Sequence, residues 1–210
     1  MTIKQHRSGK PRRDVKVARP RSLLVFVEGE KTEPGYLTYF KREYRHLVIV
    51  TVDPFHGGPL QLVERAIKNQ KDEAYEAKRG RGSAHDEYWC MFDVDEHPNL
   101  PQAIKLAGEN RIHLAISSPC IELWFILHFN DQTAHIDRTK AQIQAKLLTN
   151  CEKTLTPAAI KDLEENYLDA KRRAKSLDIR HGDNESPVGE NPSSGVWRLI
   201  DSIRRDVKTP

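Results

Sequence analysis

The sequence predicts an α/β protein: a layered parallel sheet followed by a helical C-terminal extension. Short apolar, β-branched runs alternate with stretches of helical periodicity up to about residue 130, and strands separated by helices pair in parallel. Two of these runs end in carboxylates beside turn residues, at the sheet edge where open α/β proteins hold their ligands. Beyond residue 130 only helical spacing remains.

The first strand is Ser22-Leu23-Leu24-Val25-Phe26-Val27, ending in Glu28-Gly29-Glu30. Gly29 suits a sharp exit with unusual backbone angles. Thr32 is placed to cap a helix whose first turn holds Pro34, where a missing N–H costs nothing. Leu37, Phe40 and Tyr44 continue that helix. A second strand runs from His46 to Val52 and stops at Asp53-Pro54. Gly57-Gly58-Pro59 opens a helix with Leu60, Val63 and Ile67 on one face, running towards Gly80, and residues 80–86 form a loop. The third strand, Tyr88-Trp89-Cys90-Met91-Phe92, closes on Asp93-Val94-Asp95. A short helix follows near Leu100–Ala107, then a fourth strand, Ile112–Ile116, ending at Ser117-Ser118-Pro119. Cys120 to Phe129 is apolar nearly all round and predicts a helix buried on several sides.

In the C-terminal part, Ile160, Leu163, Tyr167, Ala170, Ala174 and Leu177 predict one long amphipathic helix. Residues 180–193 are rich in loop formers. A last helix is expected from Ser194, with Val196, Leu199, Ile200, Ile203 and Val207 apolar. The organisation is therefore a basic arm (1–21), an α/β domain (22–130) and a helical extension packed on it (131–210).

With 210 residues, 30% of them charged, the chain is long enough for a substantial core. No apolar run is long enough to span a bilayer, and the start lacks the apolar middle of a signal peptide. Cys90, Cys120 and Cys151 show no C-x-x-C spacing, which argues against disulfides and structural zinc and fits a cytoplasmic, reducing setting. The net charge of +4 is uneven. The arm carries eight basic residues against Asp14 alone, so it holds +7 and the remainder −3. Arg7, Lys10, Arg12, Arg13, Lys16, Arg19 and Arg21 are its candidate nucleic-acid contacts, through phosphates and without sequence preference. A merely solubilising tail is the alternative.

The chemistry concentrates at three acids. Asp93 and Asp95 lie two apart along a strand, so they project the same way. Adjacent carboxylates repel unless a cation sits between them, and Mg2+ (or Mn2+) is a hard ion suited to oxygen ligands. The alternative is a turn in which Asp caps the next helix. Glu28 occupies the equivalent strand end. Glu122, amid Ile121, Leu123, Trp124 and Phe125, must be paired, protonated or bound to a cation. His97 is placed to orient a phosphate or a metal-bound water.

Val27-Glu28-Gly29-Glu30-Lys31-Thr32-Glu33-Pro34, Phe92-Asp93-Val94-Asp95-Glu96-His97 and Ser118-Pro119-Cys120-Ile121-Glu122-Leu123-Trp124 resemble the signatures of the RloB-like family. Asn191-Pro192-Ser193-Ser194 resembles its C-terminal motif, and the likeness spans roughly residues 21–205. That family is associated with restriction and phage-defence loci and is similar to Toprim-fold nucleases. The resemblance implies a Toprim-like (Rossmann-like) domain in which Glu28, Asp93 and Asp95 form a Mg2+-dependent acidic centre. It also implies a partner ATPase of the AAA or ABC type. On that footing the chain is expected to be a metal-dependent nuclease acting on DNA or RNA, the hydrolase of an abortive-infection system. Glu30 and Glu33 are further candidate ligands, Lys31 is a candidate for stabilising the leaving group, and Glu122 and His97 are candidates beside the metal. Two alternatives stay open. One is a non-catalytic nucleic-acid- or nucleotide-binding subunit. The other is a haloacid-dehalogenase-like phosphatase, in which Ser117 would serve the phosphate. Self-association of the chain is left open.

Overall fold

Four strands run parallel at the centre: β1 (Arg21–Val27), β2 (Val48–Val52), β3 (Glu87–Asp93) and β4 (His113–Ser118), in the spatial order β2-β1-β3-β4. The computed structural model describes residues 19–94, 97–152, 154–186 and 188–205. β1 and β3 read as unbroken apolar runs because both sheet faces are covered. Leu23, Val25 and Val27 enter one core, together with α1 (Thr32–Glu43) and α4 (Glu122–Phe129). Leu24 and Phe26 enter the other, against α2 (Pro59–Lys78) and α3 (Leu100–Asn110).

This division of helices fixes where a ligand crevice forms. The chain leaves β1, crosses one face through α1 and pairs β2 on the outer side. It returns along the opposite face through α2 and places β3 on β1's other side. The winding direction therefore reverses between β1 and β3, and their carboxyl ends are left with no helix across them.

The C-terminal helices are α5 (Arg138–Thr149), α6 (Pro157–Glu165), α7 (Tyr167–Asp183) and α8 (Val196–Arg204). Their buried residues, among them Ala141, Ala145, Leu163, Ala174 and Ile200, belong to the same core as β1 and α4. A two-residue strand, β5 (Ser193–Ser194), pairs antiparallel with the end of β4.

Several expectations need adjustment. The stretch expected as one long helix is two, with Asn166 between them. Ile160, Leu163, Tyr167, Ala170, Ala174 and Leu177 are nonetheless all buried, so the apolar spacing survives the break. The C-terminal part is not helical alone, since β5 extends the sheet. Thr32 is the first helical residue rather than the cap; Lys31 takes the cap position without a side-chain hydrogen bond. Arg21 opens β1 and its guanidinium lies 2.8 Å from Glu87, while Arg19 pairs with Asp86 at 2.9 Å. Both arm residues thus tie the chain to the start of β3. Arg7, Lys10, Arg12, Arg13 and Lys16 lie outside the described residues. Among the described residues, no helix is long and apolar enough to cross a membrane.

α4 is the most enclosed helix, buried from Leu123 to His128. Trp124 Nε1 donates to the Tyr36 hydroxyl at 2.8 Å. Arg173 of α7 donates to the terminal carbonyls of Leu127 (2.8 Å) and His128 (3.1 Å), satisfying acceptors that a helix end leaves open. His128 Nδ1 lies 2.8 Å from the Trp124 carbonyl oxygen. Burial drives its pKa down from 6.5 to about 3, and the Arg173 charge adds to this. The folded state therefore holds the imidazole neutral. That contribution is complete above about pH 6.5 and is lost as pH falls towards 3. The urea midpoint of the wild type should drop between pH 6 and 4 more steeply than that of His128→Leu. Parallel curves for the two proteins would refute this assignment.

Candidate functional site

The crevice between β1 and β3 opens into a cleft of about 490 Å3. The β1–α1 turn supplies Glu28, Glu30, Lys31 and Glu33; β3 supplies Asp93; α4 supplies Glu122; and α5 supplies Arg138. Five carboxylates thus face two cations.

Glu28 continues the sheet by one residue, its N–H donating to the Met91 carbonyl at 3.1 Å. Its carboxylate turns back over the end of β3. Oε2 accepts the Asp93 N–H at 3.1 Å, and Oε1 lies 3.0 Å from His97 Nε2. The two strand ends and the His97 turn are therefore joined through one acid. Asp93, the last residue of β3, is 8% exposed. Its Oδ2 accepts from Arg138 at 2.8 Å. Burial pushes the Asp93 carboxyl well above the usual range; the negative charges of Glu33, Glu122 and Glu28 add to the rise, and Arg138 opposes it.

Glu33, in the first turn of α1, is buried and folds against Gly29. A Cβ at position 29 would stand 2.2 Å from Glu33 Oε2. Gly29 does not adopt the left-handed backbone, which among the described glycines is confined to Gly80, Gly82 and Gly189. It is there for close approach, not for unusual angles. Burial raises the Glu33 pKa, as do the charges of Glu122 and Glu28, against hydrogen bonds from its own and the Gly29 N–H.

Glu122 is half-buried at the first turn of α4, where the helix meets the cleft; this is how a carboxylate stands beside so apolar a segment. Glu30 and Lys31 are exposed at the rim. Ser117 is not brought to the cleft: it is buried, with its Oγ 3.4 Å from Ser194 Oγ. Asp95 lies outside the described residues. Arg138 is the cleft residue that the sequence did not reveal. It follows the N-cap Asp137, whose side chain accepts the Lys140 N–H at 2.9 Å, and an arginine after a helix cap carries no signal of a distant carboxylate.

Among the described residues, no group of three His, Cys, Asp or Glu side chains is close enough to hold a metal. Mg2+ commonly takes only one or two carboxylates and keeps several waters. Asp93 and Glu28 fit that modest requirement, and the surplus of negative charge that raises Asp93 and Glu33 is what a cation would relieve. Neutralising one member should relieve it too. Glu33→Gln should raise the metal-free melting temperature at neutral pH by a few degrees; an unchanged or lower value would mean that the repulsion is already dissipated.

The RloB-like protein family model matches residues 23–203. Searches of the curated proteins and of the solved structures found no match. The matched stretch runs from β1 into α8 and includes every residue that faces the cleft, and the chain belongs to the RloB-like family.

Proposed function

We propose that the chain is a Toprim-like, divalent-metal-dependent nuclease, the effector of a phage-defence system that works with an AAA- or ABC-type ATPase. The observation that carries this reading is the meeting of Glu28 and Asp93 in one acidic cleft where the winding of the sheet reverses. Mg2+ or Mn2+, when bound, would polarise the phosphodiester and stabilise charge on its oxygens. Asp93 and Asp95 are assigned as its ligands, with Glu30, Glu33 and Glu122 shaping the negative potential around it. Glu28 is suited to hold an ion beside them or to take the proton of the attacking water. His97 and the Asp93 N–H hold that carboxylate in a fixed orientation. Lys31, on the rim, is assigned to the departing oxygen. The basic arm would add phosphate contacts.

A second reading, a non-catalytic subunit that binds nucleic acid or a nucleotide, draws on the Arg138–Asp93 ion pair, since Asp93 already has a counter-ion. The phosphatase alternative finds less support, because Ser117 is turned to Ser194 rather than to the cleft.

The test is incubation with labelled plasmid, single-stranded DNA and transfer RNA, with Mg2+ or Mn2+, with and without the neighbouring ATPase. Cleavage of at least one polymer should require the metal, and Glu28→Gln and Asp93→Asn should each slow it by about 100-fold or more. Small phosphomonoesters should be left intact. Failure to cut any polymer with metal and ATPase present would favour the non-catalytic reading.

A further inference from the structure

Arg138 faces two spaces. Its guanidinium crosses the acidic cleft to Asp93. The same side chain lines a second recess of about 370 Å3, bounded by Val94, Ser118, Pro119, Gly189, Glu190 and Asn191. The backbone that carries it is pinned. Asp137 caps α5, and the Asn191 side chain accepts the Ile136 N–H at 3.1 Å and donates to the Ile136 carbonyl at 2.8 Å. The side chain itself is 40% exposed and borders both spaces.

The pairing of Asp93 is local charge compensation. Asp93 is nine-tenths buried and feels the charges of Glu33, Glu122 and Glu28, and Arg138 is the cation that touches it at 2.8 Å. A divalent ion on Asp93 would satisfy the same charge twice over and compete for the same oxygens. A guanidinium driven off a carboxylate is suited to a phosphodiester, whose two non-bridging oxygens also accept its paired N–H donors. The recess beside it lies on the carboxyl edge next to the cleft, where a strand crossing the metal site would continue.

We propose that Arg138 is a displaceable counter-ion: it holds Asp93 while no divalent ion is bound, and on metal binding it moves into the neighbouring recess and grips the phosphodiester backbone of the nucleic acid. Metal loading and substrate grip are thereby coupled through one side chain. This rests on the proposed metal site at Asp93.

The experiment titrates Mn2+ calorimetrically into the wild type, Arg138→Gln and Arg138→Lys. It then measures the affinity of each for a labelled single-stranded oligonucleotide, as DNA and as RNA, with and without Mn2+. Arg138→Gln should bind Mn2+ more tightly, by about tenfold, and should lose about tenfold in oligonucleotide affinity only when Mn2+ is present. Arg138→Lys keeps the charge but not the planar fork. It should bind Mn2+ close to the wild-type value while still losing oligonucleotide affinity, and it carries the test if Arg138→Gln does not fold. If the wild type binds Mn2+ and Arg138→Gln binds it no more tightly, or if Arg138→Lys holds the oligonucleotide as well as the wild type, Arg138 only anchors α5 and the inference fails alone. If no protein binds Mn2+, the metal-site reading fails and takes the inference with it.

Discussion

The parallel pairing of β1 with β3 is the contact on which the candidate site depends. Its register sets Val27 against Met91, and the ladder continues one step further through the Glu28 N–H to the Met91 carbonyl. That last bond brings the Glu28 carboxylate over the end of β3, where it receives the Asp93 N–H. A slip of one residue would exchange Leu23, Val25 and Val27 for Leu24 and Phe26 between the two cores, because side chains alternate faces. Each core is built from the buried side chains of one sheet face, so the register that satisfies both also assembles the acids. Stability and site geometry are here the same constraint.

The cleft concentrates like charge. Burial raises the pKa of both Glu33 and Asp93, the charges of Glu122 and Glu28 raise both further, and Glu33 adds to the rise at Asp93. Nothing in the fold requires a buried acid at the end of β3 beside another against Gly29; apolar residues there would pack at lower electrostatic cost. Arg138 offsets part of it, and from the helical extension rather than from the sheet. The extension therefore bears on the chemistry as well as on the core.

Much of this was legible in the sequence, and the reasons are specific. β1 and β3 stand out because both faces are covered, which leaves continuous apolar runs. Glu28 and Asp93 are readable because strand ends are marked by the change from apolar to acidic residues. Glu33 was a weaker candidate, and its burial against Gly29 depends on a close approach that spacing does not encode. β5 is two residues long, too short for any periodic signal. The break at Asn166 was hidden because the apolar spacing runs through it unchanged. Arg138 is 45 residues from Asp93 in the chain, and its position over the cleft follows from how α5 packs on α4, which is tertiary information. Ser117 was misleading for the same reason: it stands level with Asp93 in the β3–β4 register, yet its hydroxyl meets Ser194 of β5.

The central claim is that the end of β3 is a divalent-cation site completed by Glu28. The most direct measurement is anomalous diffraction from crystals soaked in Mn2+. The account predicts a peak within coordination distance of the Asp93 carboxylate, on the side facing Glu28, with Arg138 turned away from Asp93. An empty cleft at saturating Mn2+, with Arg138 still on Asp93, would contradict it.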